Sequence, residues 1–128
     1  IAPAKAKNKL VAYHTDGKMD KIFPILDDIG FDIVHPIEPE SNDIFAVKEK
    51  WGERFALVGN IPTVLLAYGS IDEIDERVKL YCEKMGPGGG YVLGSSTSIM
   101  EGIPPANFVA MTQAVHKYGR YGSLGRTT

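Results

Sequence analysis

The chain is expected to be an α/β protein built from parallel β/α units. Two observations lead there. Four short apolar runs, Leu10-Val11-Ala12-Tyr13, Phe31-Asp32-Ile33-Val34, Phe55-Ala56-Leu57-Val58 and Tyr91-Val92-Leu93, are rich in β-branched and aromatic residues. They show little polar alternation, as strands buried on both faces do. Each run is also followed by turn residues and then by a segment of helical period, and strand alternating with helix implies parallel strands joined by right-handed crossovers.

The helices follow in order. Within Asp20 to Ile29, the residues Ile22, Phe23, Leu26 and Ile29 recur at threes and fours, Pro24 fits a first turn and Gly30 a C-terminal cap. A second helix is expected from about Asp43 to Trp51, with Ile44, Val47 and Trp51 on one face, Asn42 as cap and Gly52 as stop. A short helical segment spans Pro62 to Tyr68. Ser70 and Glu73 then make a capping box ahead of the stripe Ile74, Val78, Tyr81 and Met85, which Gly86-Pro87 ends. The last helix opens at Pro104-Pro105, carries Phe108, Met111 and Val115 on one side and closes at Gly119. The pattern fits a doubly wound sheet or part of a barrel, and four strands alone do not separate them. The tail from Gly122 to Thr128 is small and polar and is expected to fray.

Composition narrows the partners. The 128 residues allow one domain at most, 44% hydrophobic and 23% charged, which is ordinary for a packed domain. A net charge of -2 with scattered lysines and arginines argues against nucleic acid. A single cysteine, Cys82, fits a reducing cytoplasm and reads as helix packing. No apolar run reaches the roughly 18 residues of a membrane span. Ile1 to Asn8 reads like the tail of a helix, so the chain is expected to be a fragment of something larger.

In parallel β/α folds the active site lies at the C-terminal ends of the strands. The loops there hold His14-Thr15-Asp16-Gly17, His35-Pro36-Ile37-Glu38-Pro39-Glu40, Gly59-Asn60 and Ser95-Ser96-Thr97-Ser98. His14 and Asp16, two apart past a strand, suit metal or substrate binding, against a plain turn in which Asp16 bonds backbone N–H groups. His35 and Glu38 lie in a proline-stiffened loop. Their competing reading is that Glu38 or Glu40 caps the next helix. Asn60 ends a buried strand and must hold a ligand or brace a neighbouring loop. Ser96 and Thr97 can donate hydrogen bonds to a ligand, although no base is paired with any serine. Gly86 to Gly90 follows a helix and opens a strand, so it reads as a tight turn and not as a phosphate cradle. His116 reads as surface.

These residues resemble the C-terminal half of the uroporphyrinogen decarboxylase family. The resemblance lies in Tyr13 to Gly17, Gly30 to Pro39, Phe55 to Ile61, Gly88 to Leu93, Ile103 to Asn107 and Tyr118-Gly119. It implies a TIM-type (β/α)8 barrel of roughly 250 residues or more, of which residues 1–128 are the C-terminal half. A lone half barrel would expose two sheet edges, so it is expected to belong with a missing N-terminal half or to pair with a second copy.

The family has a decarboxylase branch acting on porphyrinogens and a zinc-dependent branch that includes methylcobalamin:coenzyme M methyltransferases. In the zinc branch a His-x-Cys motif, a Glu and a late Cys hold the metal. Here His14 matches the histidine, Asp16 stands in the first cysteine's place, Glu38 falls where the glutamate would, and Thr97 where the last cysteine would. Decarboxylases carry a histidine around that point. The resemblance thus implies zinc held by His14, Asp16 and Glu38, with His14 and Asp16 catalytic. His35, Asn60, Ser96 and Thr97 would line the substrate pocket. The leading expectation is methyl transfer between a corrinoid carried by a partner protein and a small acceptor. The alternatives are uroporphyrinogen decarboxylation, which needs no metal, and non-catalytic corrinoid or tetrapyrrole binding.

Overall fold

A computed structural model of the chain describes residues 1–120. The tail expected to fray lies outside them. The elements run α1 (Ala2–Lys5), β1 (Ala12–His14), α2 (Phe23–Ile29), β2 (Ile33–His35), α3 (Ile44–Trp51), β3 (Ala56–Ile61), α4 (Thr63–Tyr68), α5 (Ile71–Met85), β4 (Tyr91–Ser95) and α6 (Pro105–Tyr118). All strand pairs are parallel, and the sheet order is β1-β2-β3-β4. That order is the one successive units of a barrel give. A doubly wound sheet reverses its strand order at a switch point, whereas successive units of a barrel lie side by side.

β1 and β2 begin two residues later than the apolar runs suggest, β3 one later, and β4 where its run begins. Leu10 is 74% exposed, and the ladder starts only at Ala12↔Ile33. The residues before the ladder are held by a side chain: Asp32 accepts the backbone N–H of Val11 at 2.7 Å and the Lys5 ammonium at 2.5 Å. This fastens α1 and the start of β1 to β2.

The core lies between the sheet and the helices. Val34 and Leu57, neighbours in register, are fully buried against Phe23, Leu26, Val47, Phe55, Ile74 and Val78. Fully burying one such side chain stabilises by roughly 1.5–3 kcal/mol. The opposite face corrects an expectation. Strands buried on both faces were expected, yet Ala12, His14 and Val92 are exposed and Ile33, Ala56 and Val58 only half-buried. Alternation puts one set of side chains toward the helices and the other toward the barrel interior. The interior set has no cover among the described residues.

The helix signals hold with three changes, the first being that Ile29, expected on the α2 stripe, is 51% exposed. The Ser70–Glu73 capping box is formed, and Ile74, Val78, Tyr81 and Met85 are buried. Gly30 closes α2 in the left-handed conformation at φ 91°. The cap of α3 is Asp43, not Asn42: its carboxylate accepts the N–H groups of Phe45 and Ala46. In α6 the buried residues are Asn107, Ala110, Met111 and Ala114, while Phe108 is 39% exposed. The inward face is rotated because Asn107 donates to the carbonyls of Leu66 and Gly69 at the end of α4. Cys82 is buried in the helical layer, and His116 is exposed on α6.

Candidate functional site

The C-terminal rim gathers the first two loops around one contact. His14 and His35 are register partners at the ends of β1 and β2. Register partners share a face of the sheet, so both imidazoles leave on the same side. Their Nδ1 atoms lie 2.9 Å apart, and the rings are tilted by 45° with centroids 4.8 Å apart. At that distance one Nδ1–H donates to the other Nδ1 lone pair. Burial, and then the neighbouring His14, push the His35 imidazole below its ordinary value of 6.5, against an opposing pull from Asp16.

Glu38 and Asn42 hold these loops together. Glu38 Oε2 accepts the Gly17 backbone N–H at 2.6 Å. Asn42, 9% exposed, donates to the carbonyls of Gly17 and Glu38 and accepts the Met19 N–H at 2.9 Å. Asn42 was expected as a helix cap, and its role as tie between two rim loops was missed. No local signal distinguishes the two, since an asparagine before a helix serves either.

The expected metal set is not assembled by this network. Among the described residues no group of three or more His, Cys, Asp or Glu side chains is placed to hold a metal ion. Asp16 acts on His35 through its charge, and Glu38 uses one carboxylate oxygen, Oε2, on the Gly17 N–H. His14, Asp16 and Glu38 are not brought together as a trio among the described residues. Nor does Glu38 or Glu40 cap α3, which Asp43 does.

The remaining expected residues sit deeper. Asn60 is fully buried with φ 91°, and its Nδ2 donates to the Ile37 carbonyl at 2.6 Å. Of its two expected roles it takes the brace, beneath the His35 loop. Its Oδ1 has no hydrogen-bond partner among the described residues. Ser96 is 4% exposed and extends the β3–β4 ladder through its N–H to Ile61. Thr97 is half-buried, and its carbonyl accepts the Ser95 hydroxyl. Gly59, at φ 111°, was passed over. A Cβ there would stand 3.2 Å from the Ser95 carbonyl, so the positive φ and the close approach of β4 both favour glycine.

A cleft of about 550 Å³ opens at the other end of the sheet, beside Lys48, Arg54, Lys84 and Gly88. It is not the rim site. Lys48 donates to the Gly89 carbonyl, and Arg54 pairs with Asp27. The Gly86-to-Gly90 segment is the tight turn expected, with Gly89 N–H bonded to the Gly86 carbonyl.

The family model described as "Uroporphyrinogen decarboxylase (URO-D)" matches residues 1–118. The chain belongs to the uroporphyrinogen decarboxylase family. Uroporphyrinogen decarboxylase of Methylococcus capsulatus is 32% identical over 61% of this chain and 22% of its own length. That of Pseudoalteromonas atlantica is 33% identical over 59% of the chain and 21% of its own. Among solved structures, a methyltransferase from Methanosarcina mazei superimposes with a TM-score of 0.73 at 26% identity. The superposition covers 91% of this chain and 34% of that one, so the chain spans about a third of this relative. The fold is thus the expected run of β/α units from a TIM-type barrel. No helix among the described residues is long and apolar enough to cross a membrane.

Proposed function

We propose that this chain carries part of the site of a methyl-transferring enzyme of the family, one that moves a methyl group from a corrinoid on a partner protein to a small nucleophilic acceptor such as a thiol. The observation that supports it is the His14–His35 pair at 2.9 Å, set at the open end of the sheet. With their Nδ1 atoms bonded to each other, the pair keeps one free Nε2 lone pair that can take the proton of an acceptor X–H group and one Nε2–H that can orient it. The acceptor's freed electron pair forms the new bond to the methyl carbon. The pair of the old bond stays with the methyl carrier.

Charge disfavours the other branch. A porphyrinogen's carboxylate arms call for cations, yet Lys18 and Lys21, both in the first loop, are the Lys and Arg residues of the four rim loops, and Lys18 pairs with Asp20 at 3.3 Å. Asp16, Glu38, Glu40 and Glu101 give these loops an acidic balance. The similarity to named decarboxylases favours decarboxylation as the second reading.

The test is to incubate the protein with methylcobalamin and a small thiol and follow the corrinoid absorption. Steady consumption of methylcobalamin, reduced about 10-fold or more by His14→Ala, is expected for loss of one acid–base group. Carbon dioxide released from uroporphyrinogen, with methylcobalamin untouched, would establish decarboxylation instead. A spectral shift without turnover would leave a binding protein.

A further inference from the structure

We propose that the groove between α4 and the loop after β4 binds a small organic cation with an apolar body, of the arylalkylammonium kind. A cavity of about 260 Å³ opens there. It lies on the same rim as the histidine pair, but between the segments that follow β3 and β4. Its walls are largely apolar, with Val64, Tyr68, Met100 and Ile103 among the lining residues. Tyr68 is 87% exposed, and Val64 and Met100 are exposed as well, so the described chain leaves these side chains uncovered. An apolar cavity of about 150 Å³ takes up benzene, so this groove has room for a ring and a short arm.

Charge selects the occupant. Glu101 is the one charged side chain lining the groove, and no Lys, Arg or His lines it. A carboxylate and an aromatic ring on one groove both favour positive charge, while apolar walls bury the body of the ligand. A neutral hydrocarbon would leave Glu101 unused, and an anion would meet like charge. A second feature points to an N–H donor. Thr63 lines the same groove, and its hydroxyl is buried with no hydrogen-bond partner among the described residues. Threonine in a helix has two χ1 positions open to it. Turned to the groove, that hydroxyl accepts a bond from an ammonium N–H. The site uses neither His14 nor His35, so it stands whichever reaction the protein catalyses.

The test is a titration with phenethylammonium, with 2-phenylethanol as its neutral analogue and phenylacetate as an anion, followed by amide NMR shifts. Shifts centred on residues 63–68 and 100–103 are expected, with a dissociation constant for the cation on the order of 1 mM. The alcohol is expected to bind about 2- to 5-fold more weakly, and phenylacetate more weakly still. Glu101→Gln should erase the cation's advantage over the alcohol, and Tyr68→Ala should weaken the cation by about 2- to 5-fold. Both side chains are exposed, so both variants are expected to fold, and unchanged shifts elsewhere verify it. Should one fail to fold, the three-ligand comparison on the wild type decides alone. Equal binding of the three compounds would overturn the assignment, as would a cation preference that survives in Glu101→Gln. So would the absence of any shift at these amides up to about 10 mM, a concentration well above the expected constant.

Discussion

Glu38 reaches across 21 positions of sequence to accept the backbone N–H of Gly17 at 2.6 Å. With Asn42 it fastens the loop after β1 to the loop after β2. Asn42→Ala strands the Met19 N–H and the Gly17 carbonyl together, and we expect it to cost about 2–3 kcal/mol. Glu38→Gln keeps a carbonyl acceptor and is expected to cost less than about 1 kcal/mol. Denaturant unfolding measures both, and amide exchange at Gly17 and Met19 should quicken in Asn42→Ala. Equal costs for the two variants would show that Asn42 carries no more of the tie than Glu38.

Gly59 combines a φ of 111° with a close Ser95 carbonyl. Gly59→Ala is therefore expected to destabilise by more than about 1 kcal/mol, since alanine resists positive φ. The added methyl would also stand 3.2 Å from the Ser95 carbonyl, so β4 must give way by a few tenths of an ångström, and a lower melting temperature measures the cost. A variant as stable as the wild type would mean that β3 and β4 shift apart without cost.

The pairing of α5 with α6 should depend on pH. The Tyr118 hydroxyl donates to Asp75 at 2.6 Å, and this bond, with Lys117 beside it, holds the Asp75 carboxyl below its ordinary value of 3.8. A depressed carboxylate stabilises the fold above its unfolded pKa, and that contribution is lost as pH falls through the folded value. Tyr118→Phe is thus expected to lower the melting temperature at about pH 7 and to match the wild type well below the carboxylate range. A difference that persisted in acid would point to lost packing of the ring.

Cys82 is buried, and burial raises its thiol pKa above the ordinary 9.0. The thiolate is the reactive form, so alkylation by iodoacetamide near neutral pH should be slow in the folded protein and rapid in denaturant. Fast modification of the native chain would mean that α5 opens readily.

The fold was legible because its signals are local. The capping box at Ser70 and Glu73, the stripe from Ile74 to Met85 and the stop at Gly30 each depend on residues a few positions apart, and each formed as read. The rim was legible for the same reason: strands alternating with helices fix which loops share an end. Strand limits were less so, because hydrophobicity does not mark where a ladder begins. Leu10 is apolar and yet exposed, while Asp32, a charge inside an apparent strand, anchors Val11 and Lys5.

What the sequence by itself determined is the kind of protein: parallel β/α units, His14 and His35 on one rim, and Gly86 to Gly90 as a turn at the other end. Only the tertiary structure decided which groups meet. It placed the two histidines in register, gave Glu38 and Asn42 to the rim loops, and turned Asn60 inward as a brace. The reason is physical. Periodicity and caps follow from neighbours along the chain, whereas the partner of a polar side chain is set by whichever backbone group of a distant loop would otherwise go unbonded.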